Sequence, residues 1–199
     1  MEEVWRRVVM IYKDMQVPNQ FSNLTISSFI DPTRVNMEYP RLKGKGMECK
    51  DLLRPLYYAW LDLVPRDVEG FDLVRVLLED KISALQILWG HREDMFLPLA
   101  KARAFQAKVG SFLQGYSALA SLADHKGLLL WNMPSKFHWL WHLGDRARLM
   151  HPRVGCCLLD EDFVGKVKII AHSCAFGTPG HLAPQGIFEK YRWVQHFMA

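Results

Sequence analysis

With 199 residues and 23.1 kDa, the chain has the length of one sizeable domain or two small ones. Half of its residues are hydrophobic and 23% are charged, which excludes a disordered tail. Twenty-five basic against 21 acidic residues leave a net charge of +4, too little for a polybasic protein, and no apolar run approaches the ~18 residues of a membrane span.

The four cysteines, Cys49, Cys156, Cys157 and Cys174, form no C-x-x-C pair, and the adjacent two are poorly placed to bridge each other. They read as reduced thiols acting as small hydrophobes. Met1-Glu2-Glu3 lacks the basic start of a secretory signal. The expected location is an intracellular, reducing compartment, cytoplasm or nucleus, with an organelle as the alternative and no membrane partner.

Helical periodicity begins at once. Trp5, Val8, Val9 and Tyr12 recur at three- and four-residue steps and predict a helix over 2–15, stopped by Val17-Pro18-Asn19. Residues 18–46 hold Pro18, Pro32, Pro40, Gly44 and Gly46 and predict an irregular loop region, basic and flexible over 41–46. A second helix is predicted over 47–63, where Pro55 either kinks it or marks its first turn. A third spans 67–89 with a stripe from Phe71 to Leu88, and Gly90 is its expected cap. The long central helix covers 93–123, with Phe96, Leu99, Phe105, Val109, Phe112, Tyr116 and Leu119 inward. Further helices follow over 135–150, 160–174 and 184–197, closed or opened by prolines. No strand-like alternation persists. The fold class is therefore all-α: an irregular bundle of six to seven helices forming a single domain over 1–199, with a subdivision into 1–125 and 126–199 as the alternative.

Charge is uneven. Residues 66–94 carry four basic and seven acidic side chains, whereas 101–199 carry twelve and six. The reactive side chains concentrate between Lys136 and Asp162. On the helix Ser135–Arg146, apolar nearly all round and so expected to be mostly buried, Ser135, His138, His142 and Asp145 make one polar stripe. Histidines four apart point the same way and can share a metal ion, with Asp145 as a further ligand or an orienting group. Trp139 stands where the zinc-protease motif needs Glu, so peptide hydrolysis of that kind is not expected. Asp160-Glu161-Asp162 offers hard oxygen ligands for a divalent ion, through Asp160 and Asp162, unless the acids only cap the helix that starts there. Lys136, Arg146, Arg148, Arg153, Lys166 and Lys168, with Lys190 and Arg192, fall among Trp139, Trp141, Tyr191 and Trp193. Such cations neutralise phosphates while aromatic faces stack on bases. The competing reading is a core of aromatics with a snorkelling basic rim.

The run Pro134-Ser135-Lys136-Phe137-His138 through His142-Leu143, then His151-Pro152-Arg153 and Asp160-Glu161-Asp162-Phe163-Val164-Gly165-Lys166, resembles the C-terminal helical region of transposon- or virus-like proteins of unicellular eukaryotes. The shared pattern is Pro-x-Lys-x-His-x₃-His-Leu, an Asn-Pro-Arg turn and an acidic triplet before Gly-Lys; His151 replaces the Asn. The resemblance implies an association with mobile-element nucleic acid and transfers no catalytic role. The leading expectation is a nucleic-acid-associated helical domain binding phosphates through its basic C-terminal half. The alternative is a structural or protein-interaction subunit without activity. The third is a metal-dependent phosphodiesterase using His138, His142, Asp160 and Asp162, for which a divalent metal is the cofactor.

Overall fold

The computed structural model describes residues 1–35, 37–155, 170–174 and 181–198. The described residues contain helices and no strand, so the chain is all-α. It divides into two compact units, Met1–Val154 and Gly155–Ala199.

The first unit is built on five helices: α1 (Glu2–Asp14), α2 (Gly46–Leu63), α3 (Phe71–Gly90), α4 (Leu99–His125) and α5 (Lys136–Arg146). Glu2 and Glu3 in the first turn of α1 and Lys13 in its last complement the helix dipole. Its apolar stripe buries Val8, Ile11 and Tyr12 against Leu24, Leu52 and Ala59. A side chain as fully buried as Leu52 contributes about 1.5–3 kcal/mol. The helix ends in a Schellman motif. Val17 N–H bonds the Tyr12 carbonyl (3.1 Å) and Gln16 N–H the Lys13 carbonyl (3.2 Å), with Gln16 at φ 50°.

The loop after it is irregular, as its prolines predict, but not loose. Arg41 and Lys43 N–H donate to the carbonyls of Phe29 and Ser28 at 2.8 Å, and Leu24 and Ile30 are buried. The expectation of a flexible 41–46 segment came from composition, which does not register these backbone bonds. Helix α2 starts at Gly46, so Pro55 is interior and buried rather than in the first turn; the carbonyl of Asp51 loses its usual N–H partner there.

Predicted helix boundaries move. Pro98 restricts the residue before it and lacks an N–H, so α4 begins at Leu99 rather than at 93, leaving Phe96 and Leu99 exposed instead of inward. Gly90 is the last helical residue of α3, and His91, at φ −116°, takes the cap. From Ala102 onward α4 follows the predicted stripe, burying Phe105, Val109, Phe112 and Leu119. It ends in a second Schellman motif with Gly127 at φ 66°.

Helix α5 crosses α4 closely. A Cβ on Gly144 would stand 3.2 Å from Val109 Cγ1, a contact only glycine avoids. Leu140 and Ala147 enter the same core cluster as Phe105 and Val109, and Phe137 packs edge-on against Tyr116 (4.6 Å, 89°). That packing places α5 with the preceding helices, so the division falls after Val154 and not at 125. In the second unit α6 (Ala183–Met198) follows helical residues 170–174, where Ile170 and Cys174 are buried and Lys190 Nζ bonds Ser173 Oγ at 3.1 Å.

Candidate functional site

Helix α5 has two sides set by its spacing. Phe137, Leu140, Gly144 and Ala147 follow the three-and-four rhythm that meets α4. The opposite side is open. Only Gly144 is buried within Lys136–Arg146, so the expectation of a mostly buried helix is corrected: Trp139 is 69% and Trp141 51% exposed. The helix is apolar all round in sequence because Trp139 stands on its open side, while the half-exposed Trp141 borders α4, its ring 3.7 Å from where a Cβ on Gly110 would stand.

The predicted histidine pairing is present. His138 and His142 bring their Nε2 atoms to 3.0 Å, so one ring donates its Nε2–H to the bare Nε2 of the other. Their ring centroids lie 4.4 Å apart and nearly perpendicular. Trp139 joins them, 6.1 Å from His138 and 6.4 Å from His142. Three aromatic rings thus form one solvent-facing cluster. Sequence reading separated Trp139 from this stripe, although its position one after His138 and three before His142 puts it on the same helical face.

Asp145 does not join the histidines. Its Oδ1 accepts from Gln106 Nε2 of α4 at 3.2 Å, tying the two helices instead. Among the described residues no group of three His, Cys, Asp or Glu side chains is placed to hold a metal ion. Asp160, Asp162, Lys166 and Lys168 lie outside the described residues.

The cations divide sharply. Residues 99–153 carry eight basic and two acidic side chains, whereas 155–199 carry four of each, so the basic excess sits on α4, α5 and the turn Pro152–Gly155. Lys108 is engaged with Asp80 at 2.8 Å and Lys126 with Glu69. Arg153 donates to the carbonyl of Arg92 and lies 5.8 Å from the Trp89 ring. Lys101, Arg103, Lys136, Arg146 and Arg148 are exposed and make no ion pair among the described residues. Arg103 stands one turn before Gln106, the residue of α4 that bonds Asp145 of α5.

A second feature escaped sequence reading. Between α2, α3 and the end of α1 lies a cleft of about 250 Å³, where Lys50 Nζ sits 4.0 Å over the Trp89 ring and 3.0 Å from Asp51, itself bonded by Asn19. Its ammonium is already matched, and the volume falls below the roughly 300 Å³ at which ligand pockets begin.

Fold and surface together define an all-α domain with one basic, aromatic-bearing helix face. The chain matches no family model, no curated protein and no solved structure.

Proposed function

We propose that this chain is a nucleic-acid-associated helical domain that takes a single strand across the outer face of α5. The carrying observation is the ring cluster of the exposed His138 and Trp139 and the half-buried His142, on a stretch that also carries the exposed Lys136, Arg146 and Arg148. Aromatic faces accept any base, and cations free of ion pairs can exchange counterions for phosphates. The cations of the first ninety-eight residues are offset by acids, fifteen against thirteen, so the attraction is local to this face. The motif run that begins at Pro134 supports an origin in a mobile element.

Fluorescence anisotropy with a labelled single-stranded oligonucleotide tests the reading. Engagement of Arg103, Lys136, Arg146 and Arg148 as four phosphate contacts weakens binding about 50-fold between roughly 50 and 200 mM salt. Trp139→Ala costs about 1–3 kcal/mol of affinity with little effect on the salt slope. Binding that is absent at low salt, or indifferent to Trp139, overturns the reading.

A protein-interaction role is favoured by a different patch. The bond from His151 N–H to the Met95 carbonyl (3.1 Å) joins two chain segments on which Met95, Phe96, Leu99, Leu149 and Met150 are all exposed. Concentration-dependent association in light scattering, abolished by Phe96→Ser, would favour it.

A further inference from the structure

The histidine pair has a chemistry that the oligonucleotide reading does not use. We propose that His138 and His142 form a two-point chelate for a divalent transition-metal ion of tetragonal preference, Cu²⁺ or Ni²⁺, whose remaining positions are filled by water. The two Nε2 atoms already stand 3.0 Å apart. With metal–nitrogen bonds of about 2.0–2.1 Å, that separation subtends roughly 91–97° at the metal, beside the 90° of adjacent ligands in a square and short of the 109° of a tetrahedron.

Little must move. One Nε2 already offers its lone pair, since it accepts the hydrogen bond. The other ring moves its proton from Nε2 to Nδ1, a tautomer change that leaves it neutral and frees the second lone pair. The metal then replaces the shared hydrogen between the two nitrogens, with no net proton released. Asp145 stays on Gln106, so the protein supplies two ligands and the outer positions stay open. Trp139, with its centroid 6.1–6.4 Å from both imidazoles, is close enough to report a paramagnetic ion by loss of its emission.

The site makes no use of phosphate binding, and a titration with the metal alone separates it from that reading. The whole chain, titrated calorimetrically with NiCl₂ and CuCl₂, takes up one equivalent at this pair. His138→Gln and His142→Gln each weaken that step about 100-fold, because removing either ring abolishes the intramolecular second bond. Trp139→Phe removes the associated fluorescence loss and leaves the isotherm unchanged. Circular dichroism verifies that the variants keep their helices. Isotherms unaltered by either glutamine variant, or a first equivalent that binds Zn²⁺ more tightly than both Cu²⁺ and Ni²⁺, would overturn the proposal.

Discussion

Gln16 and Gly127 occupy the same position of the same motif and differ in what they cost. Both sit in the left-handed region at the end of a helix, at φ 50° and 66°. A side chain there crowds the backbone, by about 1–2 kcal/mol, whereas glycine is unstrained but more mobile when unfolded. Gln16→Gly is expected to stabilise the protein by about 0.5–1 kcal/mol, raising Tm by roughly 2 °C in calorimetry. Gly127→Ala, where a Cβ would meet nothing within 4 Å, loses about the same amount through backbone strain alone. Neither cap was read from the sequence, although glycine signals the conformation and glutamine does not. His151 supplies the pH dependence at this scale. It is 1% exposed; its Nδ1 accepts from the Arg153 N–H at 3.0 Å, so the buried Nε2 carries the proton and has no acceptor within 3.5 Å among the described residues. Burial first, then the Arg153 charge and His91, hold its pKa below the ordinary 6.5, against a smaller opposing pull from Asp94 and the His91 backbone. Between the folded value and 6.5 the unfolded chain binds more protons. This contribution is therefore complete above about 6.5 and is lost as pH falls through the folded value. Urea midpoints followed from pH 7.5 to 5 should fall less steeply in His151→Gln than in the natural protein; parallel curves would remove His151 as the cause.

At the scale of elements, the crossing of α4 and α5 decides where the aromatic face points. Gly144 lets the helices approach, and the β-branched Val109 opposite is 3% exposed and stiff at χ1, so it cannot yield. Gly144→Val is expected to cost about 1–3 kcal/mol and to displace α5, reducing oligonucleotide and metal binding together. Thermal melts and the two titrations on one variant test this; lost stability with both bindings intact would mean that α5 holds its position without the close contact. Helix interiors were legible because Phe105, Val109, Phe112 and Leu119 repeat at the helical period. Helix ends were less so: Phe96 and Leu99 continue that rhythm through a proline which forbids the helix. The face of α5 was misread for a related reason. Periodicity finds the side that must be buried, and with tryptophans on both sides it cannot tell a covered ring from an open one. The separation of His138 from His142 followed directly from four-residue spacing, whereas the attachment of Asp145 to Gln106 depends on a neighbouring helix that no local pattern encodes.

For the whole molecule, the distribution of charge and of core argues that the first unit acts alone. Its three apolar clusters draw every member from residues 4–147. Residues 155–199 carry equal numbers of basic and acidic side chains, so their removal leaves the formal charge at +4. The ring cluster of α5 and the exposed Lys101, Arg103, Lys136, Arg146 and Arg148 all precede Val154. A fragment covering Met1–Val154 is thus expected to melt cooperatively with the helix content of α1 to α5, and to bind single-stranded oligonucleotide with the salt slope of the full chain. If the fragment folds but its slope drops by two or more phosphate contacts, then Lys166 and Lys168 belong to the binding surface, as the basic C-terminal half first suggested. If slope and affinity are kept, the phosphate contacts belong to α4 and α5, and the second unit serves something other than charge.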